Sequence, residues 1–254
     1  MLPKNLQVPG KYWYGWLRGT LEPEMTLLQC LVRKEGHVID VGGNRGVYAY
    51  KLWKLGCRVE VFEPNPACCD VLNAWLRDKP MVKLHPVALS SRTGNASLHI
   101  PVDAAGVEHD ASASLEHEDF ASARNREVRL KTLDSYEYED IAFIKIDVEG
   151  HEQNVLDGAS GTIEKSKPAL LIEIEQRHNK EPVARIFESI KAMGYRGFFL
   201  DQGEIKALDD FHLGRDQPVE QFGNPNARYI NNFLFLHNAR IQRGEYAALE
   251  AGGA

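Results

Sequence analysis

The sequence predicts an α/β fold built on a mostly parallel sheet with helices on both faces. Three features carry that prediction. Short apolar runs of strand length alternate with segments of helical period along the chain, which is the pattern of a sheet covered on both sides. A glycine-rich turn, Gly42-Gly43-Asn44-Arg45-Gly46, joins a strand to a helix as in the first half of a nucleotide-binding βαβ unit. Acidic residues Asp40, Glu63, Asp147 and Glu175 stand at or near the carboxyl ends of four strands, where such sheets bind ligands.

In chain order, residues 1–35 form an N-terminal extension with a helix over 23–32, where Pro23 suits the first turn and Met25, Leu28, Leu31 and Val32 share a face. The run Tyr12-Trp13-Tyr14-Gly15-Trp16 reads in two ways: packing against the sheet or a second subunit, or a stacking platform for an acceptor. A first strand over 37–41 leads through the glycine turn into a helix over 47–55. A second strand over 58–62 is followed by a helix over 67–76 with Val71, Leu72 and Trp75 as its stripe. A third strand over 81–84 stops near Pro86, and Ala88 follows at its carboxyl end, placed to flank an adenine.

Residues 95–102 alternate as a strand. The polar stretch 103–126 lacks an apolar period and reads as a lid or mobile loop, and 127–133 is extended. The strongest buried strand is 141–147, followed by a helix carrying Val155 and Leu156. A further strand over 169–174, a helix over 183–193 closed by Gly194, and strands over 195–200 and 229–236 complete a single domain over 36–240, with 241–254 as a tail.

Composition limits the function classes. The 254 residues are 43% hydrophobic and 26% charged with net charge −6, which fits one globular α/β domain and provides no basic footprint for a nucleic-acid backbone. Cys30, Cys57, Cys68 and Cys69 lack metal or redox spacing, so free thiols in a reducing compartment are expected. Without a basic-then-apolar leader or an apolar run of roughly 20 residues, the expectation is a cytoplasmic protein with no membrane span.

The turn itself indicates the ligand. A dinucleotide fingerprint would place its first glycine at Val41, so that match fails. Asp40 just before the turn would repel a pyrophosphate but attract an ammonium group. Glu63, about 20 positions after the turn, can accept hydrogen bonds from both ribose hydroxyls. Asp40 and Glu63 together describe a pocket for a ribose and a cationic amine, which fits S-adenosylmethionine better than NAD.

The chain resembles the FkbM-type methyltransferases, which depend on S-adenosylmethionine. The motifs that carry the resemblance are Val38-Ile39-Asp40-Val41-Gly42-Gly43-Asn44-Arg45-Gly46, Phe62-Glu63-Pro64-Asn65-Pro66 and Phe143-Ile144-Lys145-Ile146-Asp147-Val148-Glu149-Gly150-His151-Glu152. The likeness runs from about residue 19 to 236; Gly43 stands where the family more often has alanine, and 103–126, where the acceptor would be selected, follows no shared pattern. It implies a Rossmann-like, seven-stranded, mostly parallel sheet ending in a C-terminal antiparallel hairpin. It also implies O-methylation of a sugar, glycoconjugate or other small natural product.

Asp40, Gly42, Gly43, Asn44, Gly46, Glu63, Pro64, Asn65, Ala88 and Asp147 are the cofactor-binding candidates. Methyl transfer to a hydroxyl needs a base within hydrogen-bond reach, and Asp147, Glu149 and His151 are the catalytic candidates. Each has a plainer alternative: the two acids complement the next helix's dipole, and His151 caps that helix or faces solvent. A divalent metal on Asp147 and Glu149 is weighed and not favoured, so no metal residue is assigned. Lys145 points the same way as Asp147, Glu173, Glu175 and His178 line the acceptor side or a surface loop, and Glu22 and Ser114 serve as a cofactor cover and a lid hydroxyl. Three other functions remain in competition: an RNA methyltransferase, an NAD-linked oxidoreductase and a non-catalytic cofactor-binding domain. A homo-oligomer stays open.

Overall fold

The computed structural model describes residues 2–103, 105–116, 122–224 and 227–250. It opens with a helix, α1 (Lys4–Arg18), whose Val8, Tyr12 and Gly15 recur at helical spacing and turn inward. A 3₁₀ turn, Pro23–Thr26, and one helical turn, α2 (Leu28–Leu31), replace the continuous helix expected over 23–32, because Val32 goes extended to feed the first strand. The βαβ entry follows as β1 (His37–Val41), α3 (Val47–Lys54), β2 (Arg58–Phe62), α4 (Pro66–Leu76) and β3 (Val82–His85).

The chain then leaves the main sheet for β4 (Ala88–Leu89), β5 (Gly94–Pro101) and β6 (Ala123–Lys131), and returns as β7 (Ile141–Ile146). Next come α5 (Glu152–Asp157), α6 (Ser160–Ser166), β8 (Ala169–Glu173), α7 (Ala184–Ala192), β9 (Tyr195–Asp201), β10 (Glu204–Ala207) and β11 (Asn232–His237).

The main sheet has eight strands, in the order β10-β9-β11-β8-β7-β1-β2-β3, where seven were expected. The extra one is β10, an edge strand with no fully buried residue and hence no apolar signature. It forms a tight hairpin with β9 through Gln202 and Gly203, both at positive φ. Strands β8, β7, β1, β2 and β3 run parallel, while β11 runs antiparallel to both β8 and β9. The antiparallel finish is therefore present, as three strands.

A separate three-stranded sheet, β4-β6-β5, flanks the stretch read as a lid or mobile loop and takes only 123–126 from it. β6 pairs with β5 from Gly94↔Leu130 to Pro101↔Ala123. Val128 and Leu130 are its only buried positions, so the first half of the strand shows no alternation. The core of that segment, 117–121, lies outside the described residues, as do the tail positions 251–254.

Alternate residues of the main strands divide between two cores. Val38, Phe143 and Leu171 face α1, α3 and α4, while Ile39, Ile144 and Ile172 face α5, α6 and α7. Near the C-terminal end, Tyr246 and Leu249 are buried in the first of these cores. All four cysteines are free thiols. Among the described residues, no helix is long and apolar enough to cross a membrane.

Phe143 sits fully buried at the centre of the sheet. Phe143→Ala is expected to lower unfolding free energy by about 3–5 kcal/mol in chemical denaturation.

Candidate active site

Strand order reverses between β1 and β7, and a cavity of about 610 Å³ opens beyond the carboxyl ends of these strands. The glycine turn forms one wall. Gly42 has φ +78°, and a Cβ there would lie 1.8 Å from the Asp147 carbonyl oxygen, so both its conformation and its contact require glycine. The turn's N–H groups are already committed. Gly42 and Gly43 donate to the Phe62 carbonyl at 2.9 and 3.2 Å, and Asn44 donates to Glu63 Oε2 at 2.6 Å. The turn thus offers no open cradle of amides to a phosphate.

The same residues leave negative charge to be met. Asp40 is 2% exposed, and its Oδ2 has no hydrogen-bond partner. Burial pushes its carboxyl up to about 7 against the pull of Lys145, with Asp147 adding to the rise. Glu63 is also pushed up to about 7, first by burial, although it accepts from Asn44 and from Asn65 N at 2.7 Å. Each Glu63 oxygen keeps a further acceptor site for a ligand hydroxyl. Asp40 and Glu63 both line the cavity.

Register explains how the acids meet. Asp40 on β1 pairs with Lys145 on β7, and Glu173 on β8 pairs with Asn232 on β11. Because side chains alternate, Asp40, Lys145 and Glu173 follow Val38, Phe143 and Leu171 on one face and emerge where the apolar core ends. Lys145 is 1% exposed; its Nζ lies 3.7 Å from Asp147 Oδ2 and donates to Asn232 Oδ1 at 3.2 Å. Burial works against its charge, but Asp147, Glu22, Glu173 and Asp40 outweigh it and hold the ammonium above its usual value. Burial raises both Asp147 and Glu173, each further raised by neighbouring acids and opposed by Lys145.

Glu149 and Glu175 also line the cavity. Glu149 Oε2 meets His178 Nε2 at 2.6 Å, and Glu175 takes Arg177 at 2.6 and 3.0 Å together with the Tyr229 hydroxyl. Ligand-type atoms of Glu149, Glu175 and His178 lie within 4.8 Å of one another. Both ring nitrogens of His151 have partners: Nδ1 meets Glu116 Oε1 at 2.6 Å and Nε2 meets Ser90 Oγ at 3.0 Å.

Of the sequence candidates, Asp40, Gly42, Gly43, Asn44, Glu63, Pro64, Ala88, Asp147, Glu149 and His151 line the cavity. Gly46 and Asn65 stand behind it: Gly46 caps α3 at φ +75°, and Asn65 caps α4 by accepting from Ala67 N at 3.0 Å. Ser114, read as a lid hydroxyl, is buried and donates to the Glu149 carbonyl at 2.7 Å. Glu22 lines the cavity and accepts from the Tyr48 hydroxyl at 2.6 Å.

Sequence reading missed Lys11 and Asp110, which line the cavity together with Tyr14 from the aromatic run read as packing or as a stacking platform. The Val8, Tyr12, Gly15 spacing would have revealed α1, which carries Lys11. No local signal marks Asp110, which binds Arg45 and Asn65 across 65 and 45 residues and fastens its segment to the glycine turn.

A family model for the methyltransferase FkbM domain matches residues 40–196, more than half of the chain. The chain belongs to the FkbM methyltransferase family. One solved structure with this fold is a methyltransferase FkbM from Methylobacillus flagellatus KT, at 18% identity and TM-score 0.52, covering 92% of this chain and 55% of that one. The present FkbM domain thus spans about half the length of that structure. Also similar are a precorrin-6Y C5,15-methyltransferase from Geobacter metallireducens GS-15 (10% identity, TM-score 0.46, 85% and 86% coverage) and an rRNA methylase from Streptococcus thermophilus (13%, 0.48, 86% and 98%). The search of curated proteins gives no match.

The raised carboxyls dictate how stability depends on pH. A carboxyl whose folded pKa exceeds its unfolded one stabilises the fold below the unfolded value, and that contribution is lost as pH rises through the folded value. For Asp40 and Glu63 the loss runs from about 4, where the unfolded carboxyls ionise, up to about 7, and levels off above that. The melting temperature should carry this fall between about pH 4 and about pH 7, and Asp40→Asn should flatten it.

Proposed function

We propose that the chain transfers the methyl group of S-adenosylmethionine to a hydroxyl of a sugar, a glycoconjugate or another small natural product. One observation carries the cofactor assignment: Asp40, buried and with its Oδ2 unpartnered, lines the same cavity as Glu63. An ammonium group satisfies Asp40, and ribose hydroxyls satisfy the open acceptor sites of Glu63. Gly42, Gly43 and Asn44 hold the turn to the shape of that ligand, while Pro64 and Ala88 border it. When bound, the sulfonium supplies an electrophilic methyl group.

The chain's own residues supply the remainder. Asp147 and Glu173 face the cavity next to Lys145, with both carboxyls raised by burial. Asp147 accepts the acceptor's proton in this reading, and Lys145 steadies the carboxylate before that transfer. Glu149 and His151, the other catalytic candidates, act by placement. Glu149 is held by His178 and accepts from an acceptor hydroxyl, and His151 braces the segment of Glu116 over the site. Arg177 and Tyr229 already occupy Glu175, which favours acid–base chemistry over a divalent ion among these acids.

The hydroxyl preference rests on the mouth. Carboxylates there accept from hydroxyls, and the exposed rings of Tyr14 and Phe222, the latter carrying Arg177 3.6 Å from its centroid, offer faces to sugar C–H groups. Net charge −6 and an acidic cavity disfavour an RNA acceptor, and the committed amides of the turn disfavour NAD. The cytoplasm remains the proposed compartment, given four free thiols.

S-adenosylhomocysteine at 100 times its Kd should stabilise the folded chain by about 2.7 kcal/mol, read as a higher melting temperature. Glu63→Ala should lose most of that shift. With an acceptor found by screening labelled methyl donor against sugar nucleotides and glycolipids, Asp147→Asn should lower kcat about 10²–10⁴-fold while leaving S-adenosylhomocysteine binding nearly intact. Equal melting temperatures with and without saturating S-adenosylhomocysteine would remove the basis of the reading.

A further inference from the structure

Helix α1 turns Val8, Tyr12 and Gly15 to the core and presents a different chemistry outward. At 100° per residue, Leu6, Trp13, Tyr14 and Leu17 fall on the side opposite those buried positions, with Trp16 at its edge. They are solvent-exposed, Trp16 by 61% and Leu17 by 76%. Most of the exposed large apolar side chains among the described residues belong to this one helix and the adjoining Leu2. Such concentration on one unpartnered face marks an interaction surface.

Charge indicates the partner. The chain carries net charge −6, yet α1 contains no acidic residue. Its cations, Lys4, Lys11 and Arg18, lie along one flank of the apolar face, and Lys4 also meets Asp70 at 3.0 Å. Tryptophan and leucine bordered by lysine and arginine, on a helix far too short to span a bilayer, is the chemistry of a helix lying in the lipid interface. A second copy of the chain would set these cation flanks against one another across an isologous contact, or against the helix's own apolar face.

We propose that the outward face of α1 docks on an anionic phospholipid surface, with Trp16 and Leu17 entering the interface and Lys11 and Arg18 meeting headgroups. Lys11 and Tyr14 belong both to this helix and to the cavity lining, so docking holds the cavity mouth beside the headgroup layer. The proposal is independent of the acceptor's identity and of methyl transfer itself.

Flotation of the intact chain with vesicles tests it. Phosphatidylglycerol vesicles should carry the chain upward, phosphatidylcholine vesicles should not, and added salt should weaken the binding. The double variant Trp16→Ser/Leu17→Ser should bind phosphatidylglycerol vesicles about tenfold more weakly or worse. Its melting temperature should match that of the parent chain, because neither side chain is buried. No flotation with phosphatidylglycerol, or flotation that the double substitution leaves unchanged, would overturn the proposal. A dimer in solution that the same substitution dissolves, with no vesicle binding by either form, would assign the face to a second copy instead.

Discussion

The site is governed by the difficulty of burying carboxylates with too little positive charge nearby. Asp40, Glu63, Asp147 and Glu173 gather around a cavity in which Lys145 is the one fully buried cation among the described residues. Removing such charges from water is costly unless they are paired or protonated. Lys145 serves Asp147 and Asn232 directly, while Asp40 keeps an oxygen with no partner and a carboxyl raised to about 7. The cofactor proposed above brings the cation and the hydroxyls that these carboxyls lack among the chain's own side chains.

That arrangement follows from ordinary sheet geometry. Parallel pairing places Asp40 beside Lys145, and the alternation of strands puts both on the face that carries Val38 and Phe143. The apolar core ends where these strands end, so the next residue of the same periodicity is polar and meets the cavity. Gly42 permits the crossing, since the Asp147 backbone passes where any side chain would stand. Fold and site are thus one feature of the β1–β7 junction, and the segments of α1 and Asp110 close it from outside.

Much of this was legible in the sequence because it is encoded locally. The run Ile141 to Ile146 is apolar except for Lys145, and every position is buried, so its strand could be read directly. Asp40 and Glu63 follow from their places beside the glycine turn. What escaped reading is encoded at long range or on wet surfaces. β10 and the first half of β6 face solvent and carry no alternation. Asp110 joins the site through Arg45, 65 residues away. The engagement of both His151 nitrogens depends on Ser90 and Glu116, which nothing near His151 announces.

The central claim is that Asp40 and Glu63 share a proton load in the free protein that the cofactor displaces. Calorimetric titration of S-adenosylhomocysteine into the chain at about pH 7, repeated in buffers of different ionisation enthalpy, counts that displacement directly. The account predicts net release of protons on binding, as the carboxyls ionise against the ligand's ammonium and ribose. Binding with no proton exchange, or with uptake, would contradict it.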